Sequence, residues 1–175
     1  MTVMIPPPLS RIYDLSRLSD AGDEIVIAAN PEQRARLAEW AGVESIGSFE
    51  ARVTLRRLSA SRFDYEAALS ADIVQSCVVS LEPVPAHVAV DIARELHLAK
   101  FPASAKIAQH EVAPSDEGPE ELEDSHYDLA APLLEDFILA IDPYPRAPGV
   151  SFQPPPDEDP PASPFAALKR LADRP

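Results

Sequence analysis

The chain has 175 residues, 46% of them hydrophobic, which suffices for one domain with a real core. Its formal net charge of -14 and sequence pI of about 4.5 make the chain as a whole repellent to nucleic acid and to anionic membrane surfaces. A basic protein is the easier partner, an RNA contact needs a local basic patch, and a single cysteine rules out an intrachain disulfide.

Met1-Thr-Val-Met-Ile-Pro-Pro-Pro8 carries no basic start and no long apolar run, so no signal peptide is expected. No stretch approaches the roughly 20 apolar residues of a membrane span. The expected location is the cytoplasm. Pro6-Pro-Pro8 favours polyproline II over helix. Ser10-Arg-Ile-Tyr-Asp-Leu15 and Asp23-Glu-Ile-Val-Ile-Ala28 are short strand candidates. A helix then starts with Asn30 as cap and Pro31 at the first helical position, where a missing N–H is harmless. Leu37 and Trp40 are its apolar anchors, and Gly42 sits where a C-terminal cap belongs.

Residues 48–98 carry the strongest pattern in the chain. Phe49, Ala51, Val53 and Leu55 alternate with Glu50, Arg52, Thr54 and Arg56. Phe63, Tyr65, Ala67, Leu69, Ala71 and Ile73 share a second apolar face, and Ala86, Val88, Val90 and Ile92 a third. Period two with one apolar face predicts three half-buried antiparallel strands. Leu58-Ser-Ala-Ser61 and Leu81-Glu-Pro-Val-Pro85 supply turns short enough for a meander. Leu58 and Val74 break the alternation, which marks either neighbourhood for a bulge. His87 and His97 fall on the polar face of the third strand.

Beyond Leu98 the pattern changes, and 100–109 is ambiguous. Residues 110–124 mix carboxylates, including Glu120, Glu121, Glu123 and Asp124, with Pro114, Gly118 and Pro119. Like charges and breakers predict an acidic loop, either a solvated surface or a docking site for a basic protein. Asp128 can cap a helix running to Ile141, with Pro132 in its first turn and a stripe of Leu129, Leu133, Leu134, Phe137, Ile138 and Ile141. That stripe is expected to be core, packed on the sheet. Residues 146–162 are rich in Pro, Asp and Glu and read as an extended linker. Ser163-Pro-Phe-Ala-Ala-Leu-Lys-Arg-Leu171 reads as a short capped helix. Such a short helix is marginal alone, so Phe165, Leu168 and Leu171 call for a surface, on this protein or on a partner.

Catalytic and ligand motifs are missing. Cys77 has no histidine at a recognisable nucleophile spacing, and a lone cysteine at a strand end is usually a small buried hydrophobe. The four histidines show no metal-ligand spacing. No Walker loop, dinucleotide fingerprint or nucleophile elbow is present. No catalytic residue, cofactor or metal is therefore expected, and the chain is not expected to be an enzyme. Arg52, Arg56 and Arg57 make the one candidate RNA contact. The competing expectation is a solvated face on which the arginines pair with Asp64 and Glu66 across the hairpin.

Three segments in order resemble the YceD family, the large ribosomal RNA subunit accumulation proteins (domain of unknown function 177). They are Cys77-Val-Val-Ser-Leu-Glu-Pro-Val84, the stretch from Tyr127-Asp-Leu to Asp142-Pro-Tyr-Pro145, and Ser163-Pro-Phe-Ala-Ala-Leu168. The commoner family pattern is Cys-x-Arg-Cys-Leu-x-Pro. Here Cys77, Leu81 and Pro83 keep their places, while Val79 replaces the arginine and Ser80 the second cysteine. The resemblance implies a cytoplasmic bacterial protein without enzymatic activity, needed for accumulation of large-subunit ribosomal RNA. It also implies a large-subunit ribosomal protein or precursor as partner; contact with ribosomal RNA rests on the arginines above, and the lack of an apolar span leaves no membrane expected. The alternative is an acidic chaperone or interaction module unrelated to RNA. The expected architecture is a single α+β domain over 1–145: an antiparallel β-meander, extended by N-terminal strands and packed with helices, with an acidic loop. Residues 146–175 form a Pro-rich C-terminal tail with a short helix.

Overall fold

The structure, a computed structural model, describes residues 7–99 and 118–152. The elements in order are β1 (Ile12–Asp14), a 3-10 turn (Leu15–Arg17), β2 (Asp23–Ala28), α1 (Pro31–Ala41), β3 (Ser45–Arg57), β4 (Arg62–Ser76) and β5 (Pro83–Leu98), followed by β6 (Glu120–Leu122), β7 (His126–Asp128) and α2 (Ala130–Ala140). The fold class is α+β. The main sheet is open, with strand order β2-β3-β4-β5-β6. Its first four strands are antiparallel and β6 runs parallel to β5.

The meander forms because its alternation is long and continuous. Phe49, Val53 and Leu55 face inward from β3, and Phe63, Tyr65, Leu69 and Ile73 from β4, all buried. Register keeps the faces aligned: Val53 lies opposite Ala67, and Ala67 opposite Ile92. On β5 Val88, Ile92 and Leu96 are buried, and Ala86 and Val90 are half-buried against the same cluster. One bulge interrupts β3 between Ile46 and Ser48, opposite Ile73 and Asp72 and next to Val74. The turn at Gly22 has φ +80, and a Cβ there would sit 2.6 Å from the Leu55 carbonyl oxygen, so only glycine fits.

Helix α1 is capped as the sequence implies. Asn30 Oδ1 accepts from Gln33 N–H at 2.9 Å, and Gln33 Oε1 accepts from Asn30 N–H at 2.9 Å. Gly42 closes it in the left-handed region at φ 68. Leu37 anchors the helix, but its second buried residue is Ala38; Trp40 is 41% exposed. A turn of helix separates positions three or four apart on one face, and Trp40 lies at the margin of that face. Helix α2 seats Leu133, Leu134 and Phe137 in the core, and Phe137 meets Phe49 edge-to-face at 5.2 Å. Ile138 is the member of its stripe left exposed. Tyr65 Oη donates to the Leu129 carbonyl at 2.9 Å inside the core, which fixes the start of α2 on β4.

Three expectations need correction. The N-terminal strands do not both extend the main sheet: β2 does, while β1 pairs antiparallel with β7 in a separate two-stranded sheet. The described end of the acidic stretch is only partly loop: Glu123 and Asp124 lie in a bend, but the three residues before them do not. Glu120–Leu122 is strand β6, anchored by buried Leu122 on the end of β5. Its backbone hydrogen bonds and one apolar side chain outweigh the local charge. Pro83, Val84 and Pro85, expected in the second turn, open β5 instead; Pro83 takes the first-residue position, where its missing N–H costs the ladder nothing. Residues 110–117 and the tail beyond 152 lie outside the described residues.

Candidate functional site

The turn between β4 and β5 is built around Cys77. Cys77 N–H donates to the Glu82 carbonyl at 2.8 Å, and its own carbonyl accepts from Leu81 N–H at 2.9 Å. The sulfur, with no solvent-accessible surface, accepts from Val79 N–H and Ser80 N–H at 3.4 Å each and from Ala147 N–H at 3.3 Å. Segment 142–147, directly after α2, straps this turn. Val78 N–H donates to the Pro145 carbonyl at 2.9 Å, and buried Gln75 donates from Nε2 to the Asp142 carbonyl at 2.8 Å. The expected linker therefore starts later than Arg146: Pro145 is buried, and Ala147 is half-buried on the cysteine.

The Cys77 thiol is pushed down to about 6, first by hydrogen bonding from the Ser80 side chain, then by the backbone N–H groups of Ala147 and Ser80. The Ser80 hydroxyl has one proton, and Glu82 Oε2 lies 3.3 Å away as a competing acceptor. The backbone donors are the constant part. Burial of the sulfur opposes the shift, but it ranks below the hydrogen bonds from Ser80 and Ala147. Among the described residues no group of side chains is placed to hold a metal ion.

The outer surface of the turn is apolar. Val78 is exposed, and Leu81 is 76% exposed with φ 61, a left-handed conformation that a branched side chain adopts at a cost. Beside it a groove of about 480 Å³ runs between α1 and the strap, lined by Glu44, Val78, Ile141, Asp142, Pro143 and Pro145 among others.

The other predicted residues lie elsewhere. Arg52 pairs with Glu24, and Arg56 lies 3.4 Å from Glu66 and 3.8 Å from Asp64. Arg57 turns away from them. It donates to the carbonyls of Leu18 at 2.7 Å and Leu15 at 3.2 Å, and lies over the Phe63 ring. The three arginines thus do not form a free cationic patch. Glu120 accepts from Tyr127 Oη at 2.8 Å, Glu121 contacts His97 at 2.8 Å, and Asp124 contacts His126 at 3.3 Å, with Glu123 exposed between them. These carboxylates gather at the far end of β5, about 40 Å from the Cys77 turn at ordinary strand rise. Phe165, Leu168 and Leu171 lie outside the described residues.

Sequence reasoning missed the closure of the strap on Cys77, for which a proline-rich stretch gives no local signal. It also missed the ion pair of Arg94 with Asp136 on α2 at 2.9 Å. A signal existed there: continuing the alternation from Val90 and Ile92 turns Arg94 toward the core side, where a cation needs a partner.

The fold and this site define an open-sheet α+β protein with an apolar turn at one end and carboxylates at the other. No helix among the described residues is long and apolar enough to cross a membrane. No protein-family model, curated protein or solved structure matches this chain.

Proposed function

We propose that this protein is a non-enzymatic cytoplasmic factor of ribosome biogenesis that supports accumulation of large-subunit ribosomal RNA through protein contacts. The reading rests on the resemblance of three segments to the YceD family. One structural observation supports it: two of those segments, 77–84 and 127–145, close on each other through the Val78–Pro145 hydrogen bond, and Ala147, two residues on, bonds Cys77. A motif whose separated parts assemble into one surface behaves as a unit, and here that unit presents Val78 and Leu81 to solvent. Protein contact is favoured over RNA contact because Arg52 and Arg56 already face carboxylates and Arg57 is spent on backbone carbonyls.

The same arginine pairing favours a second reading, an acidic interaction module that never meets RNA. Cells lacking the protein separate the two. The first reading expects a fall in large- relative to small-subunit ribosomal RNA, restored by the wild-type chain and not by one carrying Val78→Asp and Leu81→Asp. An unchanged ratio would contradict it and leave the second reading.

A further inference from the structure

The groove beside the Cys77 turn combines apolar surface with acidic charge. Val78, Ile141, Pro143 and Pro145 supply the apolar part, and Glu44 and Asp142 supply carboxylates, with no Lys or Arg in the lining. Such a groove suits a short amphipathic segment with apolar side chains on one face and cations beside them. The chain carries one: 163–171, with Phe165, Leu168 and Leu171 three residues apart, Lys169 and Arg170 between them, and no acidic residue.

Chain geometry allows the encounter. Ala147 is fixed on Cys77 Sγ at 3.3 Å, and the described chain continues to exposed Phe152, five residues further on. Ten residues, 153–162, then separate it from Ser163. A chain of that length reaches up to about 30 Å, so the tail leaves the fold beside the groove with enough reach to return to it. We propose that segment 163–171 seats in cis in this groove, covering Val78, with Lys169 and Arg170 toward Glu44 and Asp142. A protein partner that uses Val78 must then displace the tail. This docking stands or falls independently of any ribosomal role.

A tether of this length gives an effective concentration of about 1 mM, so a contact of about 100 µM affinity is closed roughly 90% of the time. Amide hydrogen exchange on the full chain reads this directly. The expected result is about tenfold protection of amides 165–171, unchanged on dilution. Protection is lost in the full chain carrying Phe165→Ala and Leu168→Ala, and in Val78→Asp, while Leu69 and its β4 neighbours stay protected. A synthetic 163–175 peptide added to the Phe165→Ala, Leu168→Ala chain shifts the amides of Glu44, Val78 and Ile141. Unprotected tail amides in the wild-type chain would overturn the proposal, as would protection that rises with concentration and so belongs to a second copy. Peptide shifts confined to another surface would also overturn it. Should Val78→Asp unfold, which the β4 amides report, the tail variant and the peptide decide alone.

Discussion

Arg57 looks, in the sequence, like one more member of a basic run, yet its guanidinium holds the turn after β1 to the sheet. It satisfies the carbonyls of Leu15 and Leu18 and lies 5.3 Å from the centre of the Phe63 ring. Removing a charged donor from such carbonyls costs about 2 kcal/mol. Arg57→Ser is therefore expected to lower unfolding stability by about that much in urea titrations. Arg52→Ser and Arg56→Ser, which break only exposed ion pairs, should each change it by less than about 1 kcal/mol. A test of RNA binding should use Arg52 and Arg56 alone. Cys77 gives a pH-dependent counterpart. Its thiol ionises near 6 in the fold against 9.0 in the free side chain. A depressed pKa stabilises the fold fully above the unfolded value, and that contribution is lost as pH falls through the folded value. Stability should thus decline between about pH 9 and pH 6 by an increment that Cys77→Ala abolishes. Equal pH slopes for both proteins would show that the backbone donors do not hold a thiolate.

At the scale of elements, α2 fixes the core to the sheet. Phe137 has no exposed surface and meets Phe49 edge-to-face at 5.2 Å. Phe137→Ala should cost about 4 kcal/mol by thermal or denaturant unfolding, the range for a fully buried aromatic cut back to a methyl. Ile138→Ala, on the exposed edge of the same stripe, should cost well under half as much. The meander, the bounds of β2 and both ends of α1 were legible in the sequence because each rests on local signals: period two, an Asn-Pro start and a left-handed glycine. The pairing of β1 with β7 was not, since Tyr13 and Tyr127 are registered across more than a hundred residues with no alternation long enough to announce it. Strand β6 was hidden for another reason. Two of its three residues are glutamates, and the sheet takes only Leu122 from it. The strap over Cys77 was hidden because proline-rich composition reads as linker, while its hydrogen bonds come from backbone groups that carry no side-chain signature.

Over the whole molecule, chemistry divides along the length of β5. At its start lie the Cys77 turn, exposed Val78 and Leu81, and the groove beside them. At its end lie Glu120, Glu121, Glu123 and Asp124, three of which already face a tyrosine or a histidine of the same fold. The open face between carries Arg52 and Arg56 already matched to carboxylates. Among the described residues Arg52, Arg56 and Arg57 make no free cationic patch, and a chain with net charge -14 approaches a basic protein far more readily than bare RNA. In the proposed function the apolar end makes the specific contact, and the acidity sets which partners come near it. The most direct measurement is sedimentation of the tagged full chain in a gentle lysate, with RNA and protein identified across the gradient. Co-migration with free or precursor large subunits, lost when Val78→Asp and Leu81→Asp are introduced together, is the predicted result. Migration only at the top of the gradient, unchanged by those substitutions, would contradict both the ribosomal role and the place assigned to its contact.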